Sequence, residues 1–265
     1  MSKNILLTIA YDGSGFSGWQ RQPNARTVCG ELEALLSDIC GAPVQLNGCS
    51  RTDAGVHAKG QRASFVSDCP VPAERLARVM NDRLARDRLE GVGEIRILEA
   101  KEMPEGFHAR FDSRGKRYIY KIKAGRPEPD VFERNYCYQL KEKLDAEAMK
   151  KAASYIVGTH DFKCFEAAGS TPRESTVRTV YRLEIGCQSA GCAASESPSA
   201  QEIDIRIEGD GFLYNMVRII TGTLVEVGQG KRSPESVKDT IASLDRSRAG
   251  HTAPPQGLYL DEIFY

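Results

Sequence analysis

Arg51, Asp53 and His57 put a guanidinium, a carboxylate and an imidazole within seven residues of one another, in the stretch Asn47-Gly48-Cys49-Ser50-Arg51-Thr52-Asp53-Ala54-Gly55-Val56-His57-Ala58. A carboxylate kept in its charged form can act as a nucleophile at an electrophilic carbon. The same Asp-Ala-Gly also suits an ordinary turn, with glycine at positive φ. Arg218 lies in Asn215-Met216-Val217-Arg218-Ile219-Ile220, with apolar neighbours on both sides, so its guanidinium is expected to be at least partly buried. A buried arginine demands an anion. Asp53 is a plausible partner, and such a pair would hold the carboxylate ionised. Tyr118 falls on an alternating strand, where it is either a core aromatic with its hydroxyl at the rim or an aromatic face for stacking. A charged carboxylate, a paired cation and an aromatic face suit a reaction on a flat base or its sugar, with the base turned out of a nucleic-acid helix. Arg51 would then occupy the gap left behind.

Composition excludes several other chemistries. The 265 residues carry 36 Lys and Arg against 36 Asp and Glu, so global charge does not point to nucleic acid. Local charge is less even. Between Phe107 and Arg126, Arg110, Arg114, Lys116, Arg117, Lys121, Lys123 and Arg126 are opposed only by Asp112. That run reads either as a face for RNA, with Arg110, Lys116 and Arg117 as contacts, or as an edge strand protected by charge. The eight cysteines contain no Cys-x-x-Cys pair, and none of the four histidines is paired at ligand spacing. No metal site is expected, and the thiols read as reduced. Neither a hydride-carrier motif nor a phosphate loop is visible, so the chemistry is expected to need no cofactor. The apolar start Ile5-Leu6-Leu7 is too short for a signal segment, and Phe212 to Val227 is broken by Asn215, Arg218 and Glu226. A cytoplasmic protein without a membrane span is expected.

The positioning elements follow from periodicity. Strands are expected at 4–10, 44–49, 60–67 and from Glu94 to Leu98. Helices are expected from Thr27 to Cys40 and from Pro72, where Leu76, Val79, Met80 and Leu84 face inward. The exposed side of that second helix would carry Arg75, Arg78, Arg83 and Arg86. Tyr11-Asp12-Gly13-Ser14-Gly15-Phe16-Ser17-Gly18-Trp19 reads as a glycine-rich loop that closes on something flat or on another backbone. The order β-α-β-β-α-β is the split βαβ pattern of a ferredoxin-like unit. A rougher echo follows, with a strand at 116–122, a helix over 145–157, strands at 177–185 and 202–208, a helix over 212–227, a shorter helix from Ser233 and a last strand at 257–264. Residues 186–200 read as a loop dispensable for chemistry. The chain is thus expected to be α+β, with two ferredoxin-like halves of mostly antiparallel sheet, 1–105 and 106–265, and an active-site cleft between them.

Eight stretches in order resemble the tRNA pseudouridine synthase A (TruA-type) family. They begin with Tyr11-Asp12-Gly13-x-x-Phe16-x-Gly18-Trp19-Gln20-x-Gln22, Arg51-Thr52-Asp53-Ala54-Gly55-Val56-His57-Ala58 and Phe107-His108-Ala109-Arg110-Phe111. Lys116-x-Tyr118-x-Tyr120, Asp161-Phe162 and Val177-Arg178-x-Val180 come next. Phe212-x-Tyr214-x-Met216-Val217-Arg218, with Gly222 and Glu226-Val227-Gly228, and Gly257-Leu258-Tyr259-Leu260 complete the set. The resemblance implies that Asp53 is the catalytic aspartate, Tyr118 the tyrosine stacked on the target base, Arg218 the arginine paired with the aspartate, and Arg51 the arginine that displaces the base. It also implies a substrate-binding place for Leu258 and supporting places for Thr52 and His57. The implied reaction turns uridine into pseudouridine at positions 38, 39 and 40 of the tRNA anticodon stem-loop, without cofactor or metal, in a homodimer. Attack on the base, attack on the sugar and abstraction of a sugar proton all remain compatible with an aspartate.

Four places depart from the family pattern: Ser50, Cys164, Gln256 and the segment Asn81 to Leu89, which lacks a Leu-Pro turn. Three other readings stay open on the residues alone. They are an RNA-binding module without catalysis, a hydrolase releasing free uracil, and a pseudouridine synthase acting on a different RNA.

Overall fold

The computed structural model describes residues 2–86, 93–169, 174–189 and 200–265. In chain order the elements are β1 (Lys3–Tyr11), α1 (Val28–Cys40), β2 (Asn47–Gly48), β3 (His57–Ser67), α2 (Ala73–Arg86), β4 (Ile95–Met103), β5 (Gly115–Ala124) and β6 (Tyr138–Gln139). They continue with α3 (Ala146–Ser154), β7 (Gly158–Asp161), β8 (Val177–Ser189), β9 (Gln201–Gly209), α4 (Met216–Gly228), α5 (Ser236–Ser243) and β10 (Leu258–Phe264). The protein is α+β with mostly antiparallel pairing, as its periodicities predict. Two compact units emerge: Met1–Arg114 together with Tyr259–Tyr265, and Gly115–Leu258.

In the first unit β1 lies between β3 and β4, antiparallel to both. Ile5, Leu6, Leu7 and Ile9 of β1 are buried, which is why its apolar run does not alternate. Helix α1 starts where its cap predicts. The Thr27 hydroxyl accepts from the Gly30 N–H at 3.3 Å, an arrangement worth about 1 kcal/mol, and Gly41 closes the helix at φ 68°. On α2, Leu76, Met80 and Leu84 are buried, while Arg75, Arg78, Arg83 and Arg86 are exposed. Arg83 reaches the Asp38 carboxylate at 2.9 Å. The Asn81 carboxamide locks α2 to β4, donating to the Ile97 carbonyl and accepting from its N–H, both at 2.8 Å.

The strand expected over 44–49 is a correction. Val44 and Leu46 do turn inward, but only Asn47 and Gly48 join a ladder, opposite Ser64 and Ala63. Two side chains of α1 have taken the backbone: Ser37 Oγ accepts from the Val44 N–H and Glu33 Oε1 from the Leu46 N–H, each at 2.9 Å. β3 begins three residues earlier than expected, so His57 and Ala58 belong to it.

The second unit orders its sheet β5-β9-β8-β7, all antiparallel, with β6 parallel to β5. The Asp145 carboxylate caps α3, accepting from the Ala148 N–H at 2.9 Å. That helix stops at Ser154 rather than Val157, because Tyr155 and Ile156 bond to carbonyls three residues back and tighten the last turn. α4 starts four residues later than its apolar pattern predicts. Asn215 adopts a left-handed conformation (φ 59°), and the Tyr214 carbonyl is already taken by the Ala167 N–H at 3.1 Å. The short strand β7 has no alternating signature and is missed by sequence. The last strand, β10, pairs in parallel with β3 of the first unit, Tyr259 opposite His57. The chain-order division at 105 therefore does not follow the compact units. β8 extends past the expected Ile185 to Ser189. Residues 190–199 of the expected loop, and 87–89 of the segment without Leu-Pro, lie outside the described residues.

Candidate active-site elements

Asp53 sits between β2 and β3, half-buried, in a turn that its own sequence encodes. Its carbonyl accepts from the Val56 N–H at 3.2 Å, and Gly55 supplies positive φ (78°) at the third position. The turn reading of Asp-Ala-Gly thus holds, and it leaves the Asp53 side chain half-buried. Around it the chain alternates, with Arg51 exposed, Thr52 buried and Asp53 between.

The loop's accuracy comes from backbone laid against backbone. A Cβ on Gly13 would stand 2.1 Å from the Val56 carbonyl oxygen, and one on Gly18 would stand 2.7 Å from that of Thr52. The glycine-rich loop therefore does close on another backbone, the one bearing Asp53. A Cβ on Gly48 would likewise stand 2.3 Å from the indole nitrogen of the fully buried Trp19. Main-chain bonds reinforce this, as the Trp19 N–H donates to the Thr52 carbonyl at 3.1 Å.

Buried polar groups underpin the loop. Tyr11 and Thr52 share a hydrogen bond of 2.7 Å between hydroxyls, and burial pushes the Tyr11 phenol far above its ordinary pKa, so it stays protonated. The Gln61 carboxamide accepts from the Ser50 N–H at 3.2 Å and donates to the Ser50 carbonyl at 2.7 Å. Neither Tyr11 nor Gln61 is singled out by sequence for this role. Gln61 leaves one signal: it has the same strand parity as the buried Ala63 and Phe65. His57 is buried, accepts from the Gly13 N–H at 3.1 Å and stacks on Tyr259 with ring centroids 4.7 Å apart.

In the second unit Arg218 is half-buried on the first turn of α4. Its Nε donates to the Ala253 carbonyl at 2.8 Å and its Nη1 to Asn215 Oδ1 at 2.7 Å, while the Ala253 N–H returns a bond of 3.0 Å to the Arg218 carbonyl. Residues 249–257 thus form a strap along α4. The strap is fixed at Gly250, whose N–H donates to Thr223 Oγ1 at 2.8 Å, and at Pro254, whose carbonyl accepts from the Tyr120 hydroxyl at 2.6 Å. Glu226 holds it at His251, accepting from the backbone N–H at 2.9 Å. Gly222 permits the approach, since a Cβ there would lie 1.8 Å from the His251 carbonyl oxygen. Sequence reasoning missed this strap entirely.

Tyr118 is buried at 7% exposure, opposite Ile207 of β9, with the Phe212 ring edge-on at 5.3 Å. Leu258 is buried at the start of β10. Arg110 is exposed. Lys116 and Arg117 are half-buried on β5, and Arg117 lies 3.4 Å from the Glu208 carboxylate on β9. Lys123 of the same basic run pairs with Glu133 and with Glu202, the latter at 3.2 Å. Carboxylates distant in sequence thus answer part of the charge. Cys164, one of the departures from the family pattern, is fully buried, and burial pushes its thiol up to about 12. Among the described residues no three His, Cys, Asp or Glu side chains gather as a metal ion would require, and no helix is long and apolar enough to cross a membrane.

Comparison with known proteins identifies similar chains. A family model described as tRNA pseudouridine synthase matches residues 7–112 and 152–265. "tRNA pseudouridine synthase A" of Thermoanaerobacter sp. (strain X514) is 44% identical over 263 residues, covering 99% of this chain and 100% of that protein. "tRNA pseudouridine synthase A 2" of Clostridium perfringens (strain 13 / Type A) is 41% identical over 263 residues, with the same shares. "tRNA pseudouridine synthase A" of Acetivibrio thermocellus (strain ATCC 27405) is 42% identical, again over 99% of this chain and 100% of the relative.

Proposed function

The chain belongs to the tRNA pseudouridine synthase family, and from that premise we propose that it isomerises uridine to pseudouridine at positions 38, 39 and 40 of the tRNA anticodon stem-loop, with Asp53 as the catalytic residue. The reaction breaks the bond between uracil N1 and the sugar C1′, turns the base, and joins C5 to the same carbon. The C5 proton is lost and N1 gains one. Atoms and electrons balance within the substrate and solvent, so side chains suffice.

The observation that carries the reading is the Asp53 turn. Two glycine-to-backbone approaches and a buried hydroxyl pair fix a short carboxylate whose reach is small. A group that must meet one carbon atom gains from such fixing, because misplacement by about 1 Å can cost on the order of a hundredfold in rate. Arg218, held by the Ala253 carbonyl and Asn215 Oδ1, is the supporting cation of this reading. Tyr118 stacks on the extruded base, Leu258 lines its apolar side, and Arg51 fills the vacated stack. Thr52 and His57 hold the loop. Arg110, Lys116 and Arg117 contact phosphates, so affinity falls as salt rises. The protein works in the cytoplasm as a homodimer across which one tRNA lies.

Asp53→Asn tests the assignment, since it keeps shape and removes charge. Pseudouridine formation on an unmodified tRNA transcript should fall at least about a thousandfold, with tRNA affinity within a few-fold of wild type. Product at the parental rate would sink the assignment. Free uracil among wild-type products would replace it with hydrolysis, and pseudouridine mapped only to other RNAs would replace the substrate.

A further inference from the structure

The loop between β4 and β5 holds an arrangement that the chemistry above leaves unused. Phe111 is 74% exposed. Burying such a side chain is favourable, so a phenylalanine left in solvent forgoes a sizeable stabilisation. The backbone around it does not share that exposure. Ala109 is fully buried, its N–H donating to Ser64 Oγ at 3.0 Å and its carbonyl accepting from the Tyr265 hydroxyl at 2.7 Å. Asn4 Nδ2 donates to the Phe107 carbonyl at 2.7 Å, and the Arg114 N–H donates to the Phe264 carbonyl at 2.8 Å. Within the loop the His108 N–H donates to the Asp112 carboxylate at 2.7 Å, and the Asp112 N–H returns to the His108 carbonyl at 3.1 Å. The ring is thus carried outward on a backbone tied to β1, β3, β10 and itself.

Its neighbours are chosen for flat, negatively charged company. The His108 ring centroid lies 4.3 Å from that of Phe111, and the Arg110 guanidinium carbon stands 5.7 Å from it. Arg110 and Arg114 are exposed on either side in sequence. The carboxylate next to Phe111 in sequence, Asp112, is occupied with the backbone of His108. Exposed arginines around an exposed ring ask for an anionic, flat partner, and a second copy of this chain, with 36 Lys and Arg against 36 Asp and Glu, carries no net negative charge to offer them. A nucleotide instead offers a π-face for the phenyl ring and a phosphate for the arginines.

We propose that Phe111, flanked by His108 and Arg110, is a stacking platform for an unpaired base of the RNA substrate, separate from the base that undergoes reaction. This rests on the reading that the chain acts on tRNA. The platform contributes binding, not chemistry, and tolerates any base.

The test uses the full-length chain and a fluorescein-labelled, unmodified tRNA transcript with uridine at position 39. Dissociation constants are read by anisotropy over a potassium chloride series, and single-turnover rates at saturating enzyme. Phe111→Leu should weaken binding about 5- to 50-fold, since stacking of one base on an aromatic side chain is worth on the order of a tenfold change or more. The saturating rate and the salt slope should stay at their wild-type values. Phe111→Trp should bind within about twofold of wild type, which separates lost stacking from a misfolded loop. Arg110→Gln should reduce the salt slope by about one ion. Binding of Phe111→Leu within twofold of wild type overturns the platform. So does a loss of saturating rate without a change in affinity, or a change in sedimentation without a change in affinity, which would assign the ring to contact between copies. If the wild-type chain itself neither binds nor modifies the transcript, the tRNA reading falls first and the platform falls with it.

Discussion

The Asp53 loop and the Arg218 helix turn solve the same problem by opposite means. Asp53 is short, so its position is only as good as its backbone, and the backbone is pinned by glycines that admit no Cβ. Arg218 is long and could point many ways. It is held near its tip, by the Ala253 carbonyl and the Asn215 amide oxygen. A short side chain is placed by close backbone packing, whereas a long one is placed by hydrogen-bond partners along its length. The two regions should therefore fail differently.

The largest effect separates them by steric intrusion. Gly13→Ala would force a methyl group 2.1 Å from the Val56 carbonyl oxygen, and Gly222→Ala one 1.8 Å from that of His251. Each should cost about 1–3 kcal/mol of stability, measured by denaturant unfolding. Pseudouridine formation should fall about a hundredfold for Gly13→Ala, since Asp53 cannot compensate, and about tenfold for Gly222→Ala, since arginine rotamers absorb the shift. Greater loss of rate in Gly222→Ala at equal stability would overturn the comparison.

A smaller effect sharpens the account of the Asp53 side. Tyr11→Phe leaves the buried Thr52 hydroxyl without its 2.7 Å partner and should cost about 1–2 kcal/mol. Adding Thr52→Val should cost less than the two single changes together, because the second removes an already orphaned group. Full additivity in a double-mutant cycle would show that the pair is not coupled.

The smallest concerns acid. Burial raises the Glu226 carboxyl pKa, but the His251 hydrogen bonds and the Arg232 guanidinium outweigh it and hold the group below its ordinary range. Its folded pKa being the lower one, the strap gains stability from Glu226 above the unfolded value, near pH 4, and loses it as pH falls through the folded value. Melting temperature against pH should fall more steeply below about pH 4 for wild type than for Glu226→Gln. Parallel acid limbs would exclude this carboxylate.

Legibility in the sequence tracked distance along the chain. The start and end of α1 could be read because Thr27 and Gly41 act on their immediate neighbours. The Asp53 turn was legible for the same reason, as Gly55 lies two residues away. The glycine-rich loop showed that it closed on a backbone but not on which one, since nothing in Gly13 or Gly18 names Val56 or Thr52. The strand over 44–49 looked right by alternation and shrank because Ser37 and Glu33 compete for its amides. The 249–257 strap carried no periodic signal, for its partners are single atoms on α4 and β5.

Local chemistry thus decided from sequence where α1, α2 and the Asp53 turn lie, and which residues carry the charge. Strand pairing was decided only by tertiary structure, as in the return of β10 to β3, because a parallel ladder joins segments about 200 residues apart that have no local way to specify each other. So was the placing of Asp53 and Arg218, each within its own unit. Close packing and hydrogen bonds between distant atoms aim a side chain, and neither can be inferred from the residues beside it.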